Sequence, residues 1–173
     1  MTILTTKRLT LRPLTVGDAP ALFPARSDAE VMRYWDWPAQ TSVEQVESII
    51  ADHASYIEDG TVLWWVAALS PAGPAIGECD LSEIDHYHRR AELGFMFNRA
   101  YWGNGYAQEA ATAAIGHAFG ALNLERLWAR VHAGNESSQR LLERLGFSLE
   151  GRLRAHIIRD SMRRDCLIYG RMR

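Results

Sequence analysis

Lysine is almost missing from this sequence. Lys7 is the single one, arginine supplies the other 18 of 19 Lys and Arg residues, and the formal net charge is -2. Such a balance argues against broad nucleic-acid binding, and no nucleic-acid partner is expected. Cysteine is equally sparse: Cys79 and Cys166 lie far apart and fit no metal or redox spacing, so both are expected to be reduced and structural. No apolar run approaches the roughly 18 residues of a membrane span, and the N-terminus lacks the basic-then-apolar layout of a signal peptide. A cytoplasmic chain with no membrane partner is the expectation. A nucleotide P-loop is excluded because Gly-Lys-Ser/Thr occurs nowhere. His86 and His88 could share a strand face, yet no nearby cysteine or second His-carboxylate pair supports a metal site. They are assigned to a polar hairpin, and no metal is expected. Without internal repeats or low-complexity linkers, residues 1–173 read as a single domain.

What is present centres on Ala91 to Gly116. Ala91–Phe97 is almost wholly apolar and predicts a buried strand. After a short polar break, Gly103, Asn104 and Gly105 open a run in which Ala107, Ala110, Ala111, Ala113 and Ala114 predict a helix with a small-residue face. Glycines there permit positive φ and close approach to a ligand, and the free N–H groups of a first helical turn favour phosphate or pyrophosphate. A dinucleotide fingerprint does not fit: Gln108 stands where a third Gly or Ala belongs, and Glu125 precedes the next strand instead of ending it.

Elsewhere Leu9, Leu11 and Leu14 alternate with polar residues as a half-buried first strand, disturbed by Pro13. A short helix is expected over Asp18 to Ala25. A second begins at Thr41 or Ser42, whose spacing to Glu44 or Gln45 suits a capping box, with Val43, Val46, Ile49, Ile50 and His53 on one face. Between them Tyr34, Trp35 and Trp37 form an aromatic cluster that either binds a ligand or caps the core. Strands follow at Val62–Leu69 and Ala75–Ile84, separated by a turn at Pro71–Pro74. Arg126–His132 alternates as a strand, Asn135 caps a helix over Glu136–Leu145, and Gly146 ends it. Phe147–Leu153 and Cys166–Met172 read as an antiparallel pair around Arg159, Asp160 and Ser161. This order fits a mixed α/β sheet.

Trp102, Gly103, Asn104, Gly105, Tyr106 and Ala107 together resemble the coenzyme-A pyrophosphate loop of the GNAT superfamily of N-acetyltransferases, Gln/Arg-x-x-Gly-x-Gly/Ala. Gly105 and Ala107 match, while Trp102 occupies the Gln/Arg position, a departure typical of the RimJ/RimL-type branch. Asn135 and Ser138, followed by Leu141, Leu142, Leu145, Gly146 and Phe147, are similar to that branch's Asn-x-x-Ser and Leu-Gly-Phe segment. The resemblance runs from Leu9, Leu11 and Arg12 to Asp165 and Tyr169. It implies an acyl-CoA N-acyltransferase fold with a central, mostly antiparallel twisted sheet flanked by helices, and acetyl-CoA as cosubstrate. The cosubstrate would lie along Phe95, Met96 and Phe97, the loop from Trp102 to Ala107, Asn135 and Ser138, with Arg140 and Arg144 as phosphate contacts. The aromatic cluster of Tyr34, Trp35 and Trp37 would wall the acceptor cleft.

Acetyl transfer to an amine requires a proton acceptor, a polarised carbonyl and stabilisation of the departing thiolate. Glu92 is the candidate base by resemblance, its alternative being a strand carboxylate paired with Arg89 or Arg90; His156 is a weaker choice. The position at which relatives carry a second glutamate is Ile157. Leu142 replaces the Tyr that many superfamily members use on the thiolate, which leaves Ser138, otherwise a cap extension, to donate to the sulfur. Such modest machinery suits an α-amine, roughly a tenth neutral at pH 7, better than lysine. The resulting expectation is an N-acetyltransferase for a protein or peptide N-terminus, as a monomer or homodimer. Acetylation of a small amine and a non-catalytic acyl-CoA sensor are the alternatives.

Overall fold

Strand periodicity governs the middle of the chain. In the computed structural model, which describes residues 2–173, β3 (Leu63–Ala68) packs Trp64 and Val66 into one cluster and Trp65 and Ala67 into another. Both faces of this strand are covered, which is why its sequence is apolar without interruption. Around it, β1 (Leu4–Thr5), β2 (Thr10–Pro13), β4 (Ala75–Asp85), β5 (Arg90–Phe97), β6 (Arg126–His132), β7 (Ser148–Arg159) and β8 (Met162–Met172) complete an eight-stranded sheet in the order β1-β2-β3-β4-β5-β6-β8-β7. Every neighbouring pair is antiparallel except β5 and β6.

Helices cover both faces. On one, α1 (Ala19–Arg26) and α2 (Val43–Asp52) bury Ala19, Leu22, Val46 and Ile50 against Trp64 and Val66, and the short α3 (Ala54–Glu58) follows. On the other, α4 (Tyr106–Phe119) lays Ala110, Ala111, Ala114 and Ala118 in the core that holds Leu81, Leu93 and Leu127, and Leu141 and Leu142 of α5 (Glu136–Arg144) join it. Fully burying one such leucine contributes about 1.5–3 kcal/mol. Alanine adds less area but lets the helix axis lie close to the sheet. Ser42 caps α2 by accepting from the Gln45 N–H, and the Gln45 side chain returns a bond to the Thr41 N–H at 2.8 Å. Among the described residues, no helix is long and apolar enough to cross a membrane.

Three features differ from the sequence expectation. β1 and α3 are too short to leave a periodic signal. The closing hairpin is longer than Phe147–Leu153 and Cys166–Met172: β7 and β8 pair out to Arg159 and Met162, with Asp160 and Ser161 at positive φ in the turn. Its outer half is mostly exposed, so backbone pairing continues where the hydrophobic alternation stops.

Beneath α1 the sheet holds buried charge. Arg26 Nη2 lies 2.6 Å from Glu78 Oε1, and its guanidinium sits over the Trp64 ring at 5.4 Å. Two residues along β4, burial and then the neighbouring Glu78 charge push the Asp80 carboxyl from its ordinary 3.8 up to about 7. A carboxyl that holds its proton more tightly when folded gives stability that is fully present below about pH 4 and is lost as pH rises through 7. Asp80→Asn is therefore expected to stabilise the protein at pH 8 and to flatten the fall between pH 5 and 8. Urea unfolding at several pH values measures this, and an unchanged slope would contradict the assignment.

Candidate active site

The site begins where a pair of strands parts. β5 and β6 are paired only at Arg90–Arg126, Ala91–Leu127 and Glu92–Trp128. Beyond Glu92, β5 keeps β4 on one edge and has no strand on the other. Two adjoining cavities open in this gap, one of about 590 Å³ and one of about 160 Å³. Tyr34, Trp35, Phe95, Asn135 and Ser138 border both.

The larger cavity follows the glycine turn. Phe95, Met96 and Phe97 of β5 line it, as do Trp102, Gly103 and Gly105 of the turn, Tyr106 and Ala107 of α4, and Asn135, Ser138 and Arg144 around α5. Asn104 and Arg140 are not on its wall: the Asn104 side chain bonds back to the Tyr101 and Trp102 carbonyls, and Arg140 pairs with Glu136. Gly103 and Gly105 both have φ of +78°, a conformation that disfavours side chains. Gly105 is the N-cap of α4 and offers no side-chain cap, so the N–H groups of Tyr106, Ala107 and Gln108 remain for a ligand. A Cβ at Gly103 would project into open space. The Trp102 indole donates to the Phe97 carbonyl at 2.8 Å and ties the turn to the end of β5.

A clamp that the motif reading overlooked supports the turn from behind. Arg8 donates to the Asn104 carbonyl at 2.9 Å and to Glu109 at 2.6 Å, and Thr6 adds a 2.6 Å bond to the same carboxylate. Its guanidinium also lies over the Tyr106 ring at 4.6 Å. The glycine turn, the exposed β5 edge and the orphan N–H groups together fit an acyl-CoA whose pyrophosphate needs anion donors and whose amide arm needs a strand edge.

The smaller cavity collects charge. Glu92 is paired with Arg130, at 3.0 and 3.4 Å, rather than with Arg89 or Arg90, which bind Glu125 and Asp85. Burial pushes its carboxyl up, against the pull of the Arg130 guanidinium. His132 Nε2 lies 2.8 Å from Asp36 Oδ1, and that hydrogen bond holds the Asp36 carboxyl below its ordinary range. Tyr34, Trp35 and Trp37 line the wall, with the two indoles 5.3 Å apart. Trp35 also packs against Met32 and Met96, so the cluster both caps a small core and faces the cavity. Leu142, Ile157 and Cys166 complete the apolar side. His156 is not on this wall.

Asp36, Arg130 and His132 were not singled out from the sequence, although Arg130 and His132 stand two apart on a strand and therefore share a face. His88 and Asp85 close the β4–β5 turn through a 2.8 Å bond to the His88 N–H. Among the described residues, no group of three or more His, Cys, Asp or Glu side chains is placed to hold a metal ion.

A glycine turn with free helix N–H groups and a pocket lined by charged side chains meet at an open strand edge, an arrangement that suits group transfer. Residues 8–148 match the acetyltransferase (GNAT) domain family, and the chain belongs to that family as an acetyl-CoA-dependent N-acetyltransferase. It is 35% identical over 167 residues to the uncharacterized N-acetyltransferase YoaA of Bacillus subtilis, with 96% of this chain and 94% of that protein covered. To the spermidine N(1)-acetyltransferase of Escherichia coli it is 35% identical over 144 residues, 83% of this chain and 74% of that one. Among solved structures, Mycobacterium smegmatis RimJ in complex with CoA-disulfide has a TM-score of 0.85 at 25% identity, covering 95% of this chain and 81% of that chain.

Gly105→Val would force a branched side chain into positive φ and press it against the Arg8 guanidinium, distorting the turn that presents the α4 N–H groups. Loss of measurable acetyl-CoA binding by calorimetry is expected, with the fold retained by circular dichroism. Unchanged affinity would overturn the placement of the pyrophosphate.

Proposed function

We propose that this enzyme acetylates the α-amine of a protein or peptide, in the manner of the RimJ/RimL branch, by direct transfer in a ternary complex. The observation that carries this reading is that neither carboxylate of the smaller cavity is left without a protein partner. Glu92 pairs with the Arg130 guanidinium, and Asp36 is hydrogen-bonded to His132 Nε2. A polyamine keeps further positive charges after one amine reacts and calls for surplus carboxylates. An α-amine carries one charge and loses it easily, being roughly a tenth neutral at pH 7.

In this reading residues 1–173 act as one catalytic domain, with acetyl-CoA supplying the thioester. The unpaired edge of β5 at Phe95–Phe97 offers a main-chain N–H to the thioester oxygen. Glu92, raised by burial yet held near Arg130, takes the proton from the bound ammonium. As the N–C bond forms and the C–S bond breaks, the Ser138 hydroxyl at the junction of the cavities donates a hydrogen bond to the leaving sulfur. Arg144 is the candidate phosphate contact on the cavity wall, and Arg140 reaches phosphate only by releasing Glu136.

A second reading is acetylation of a small amine such as spermidine. The 35% identity to the Escherichia coli spermidine enzyme favours it.

Release of coenzyme A should be measured with three acceptor pools: peptides with free N-termini, N-blocked lysine peptides and small amines. Turnover confined to free N-termini is the expected result, and turnover confined to small amines would overturn the proposal. Glu92→Gln is expected to lower kcat by about 10²–10⁴-fold and to leave acetyl-CoA affinity nearly unchanged. Wild-type turnover in that variant would remove Glu92 as the base.

A further inference from the structure

We propose that His132, oriented by Asp36, anchors the acceptor amine through its Nδ1 atom and so aims the nitrogen lone pair at the thioester. This rests on acetyl transfer to an amine in the smaller cavity. His132 is the last residue of β6, only 5% exposed, and lines that cavity. Its two ring nitrogens have different fates: Nε2 meets Asp36 at 2.8 Å, whereas Nδ1 is buried with no hydrogen-bond partner among the described residues.

The tautomer follows from Asp36. A carboxyl held below its ordinary range is ionised and accepts only, so Nε2 carries the hydrogen. In that tautomer Nδ1 is left with a lone pair. A buried acceptor without a donor is costly, and a ligand N–H is the group that removes the cost. Ring rotation is restricted, since the Tyr34 ring meets His132 edge-on at 6.3 Å and Cys166 is its partner across β8. The charged groups nearby are Arg130 on the same strand and Glu92 on β5, both on the same cavity wall. With Glu92 taking one proton and Nδ1 accepting a second N–H, two directions around a tetrahedral nitrogen are fixed. The freed lone pair can then be aimed at the Phe95 and Ser138 junction where the cavities meet. Asp36 also belongs to the loop carrying Tyr34, Trp35 and Trp37, so a single contact sets the anchor and the acceptor wall together.

Two variants separate anchoring from loop support. In His132→Gln the side-chain amide can still donate to Asp36 but offers nothing at the Nδ1 position. His132→Asn places an amide oxygen near Nδ1 and cannot reach Asp36. The expected result is a rise in acceptor KM of about tenfold or more for Gln, the size of one lost hydrogen bond, and a rise within about threefold for Asn, with acetyl-CoA affinity unchanged in both. A Gln variant with wild-type acceptor KM, or an Asn variant impaired as much as Gln, would overturn the proposal. Both are assayed with whichever amine the wild type turns over. A small amine as that acceptor would refute the α-amine reading while leaving this comparison intact.

Discussion

Backbone hydrogen bonding between β5 and β6 stops after Glu92 and Trp128, and the functional architecture depends on that break. Peptide groups seldom stay unpaired when buried, so a sheet that parts must offer its inner edge to solvent or to a ligand. Here the edge runs from Leu93 to Phe97 and borders both cavities. Had the parallel pairing continued, Phe95 would face β6 and no path would join the glycine turn to the charged pocket.

The two sides of the gap use different physics. On the side of α4, the donors belong to the main chain, and their direction is set by Gly105 at the helix entrance. The Arg8–Glu109 pair behind the turn is partly exposed, a setting in which an ion pair contributes only about 0–1 kcal/mol. Its value is positional, because one guanidinium holds the Asn104 carbonyl, Glu109 and the Tyr106 ring at once. On the side of β6, side chains dominate, and burial strengthens each charge contact while penalising any left alone. Glu92 with Arg130 and Asp36 with His132 answer that penalty in pairs.

The core shows the same economy of means. Alanine on α4 brings a helix close to the sheet, and the tryptophans of β3 fill both faces. The Arg26–Glu78 pair and Asp80 lie on the α1 face of β4, so the interior under α1 carries buried charge beside its apolar cluster.

Local pattern was enough to read the strand, glycine turn and helix from Ala91 to Gly116, the capped α2 and α5, and a succession of elements that suits a mixed sheet. These features repeat within a few residues, and the physics that forms them is equally local. Proximity in sequence suggests only Arg89 or Arg90 as partners for Glu92, whereas Arg130 meets it from the neighbouring strand, 38 residues away. The Asp36–His132 contact joins a loop to a strand 96 residues away, and Arg8 meets Glu109 across 101. The exposed half of the β7–β8 hairpin also escaped notice, since pairing there is carried by backbone that no side-chain alternation reports. The sequence by itself determined most of the elements and the glycine turn at the entrance to α4, because propensity and periodicity act over one or two turns of chain. Only the tertiary structure decided which charges meet and which imidazole nitrogen is left unpaired, because those depend on strand order and on the point at which two strands part.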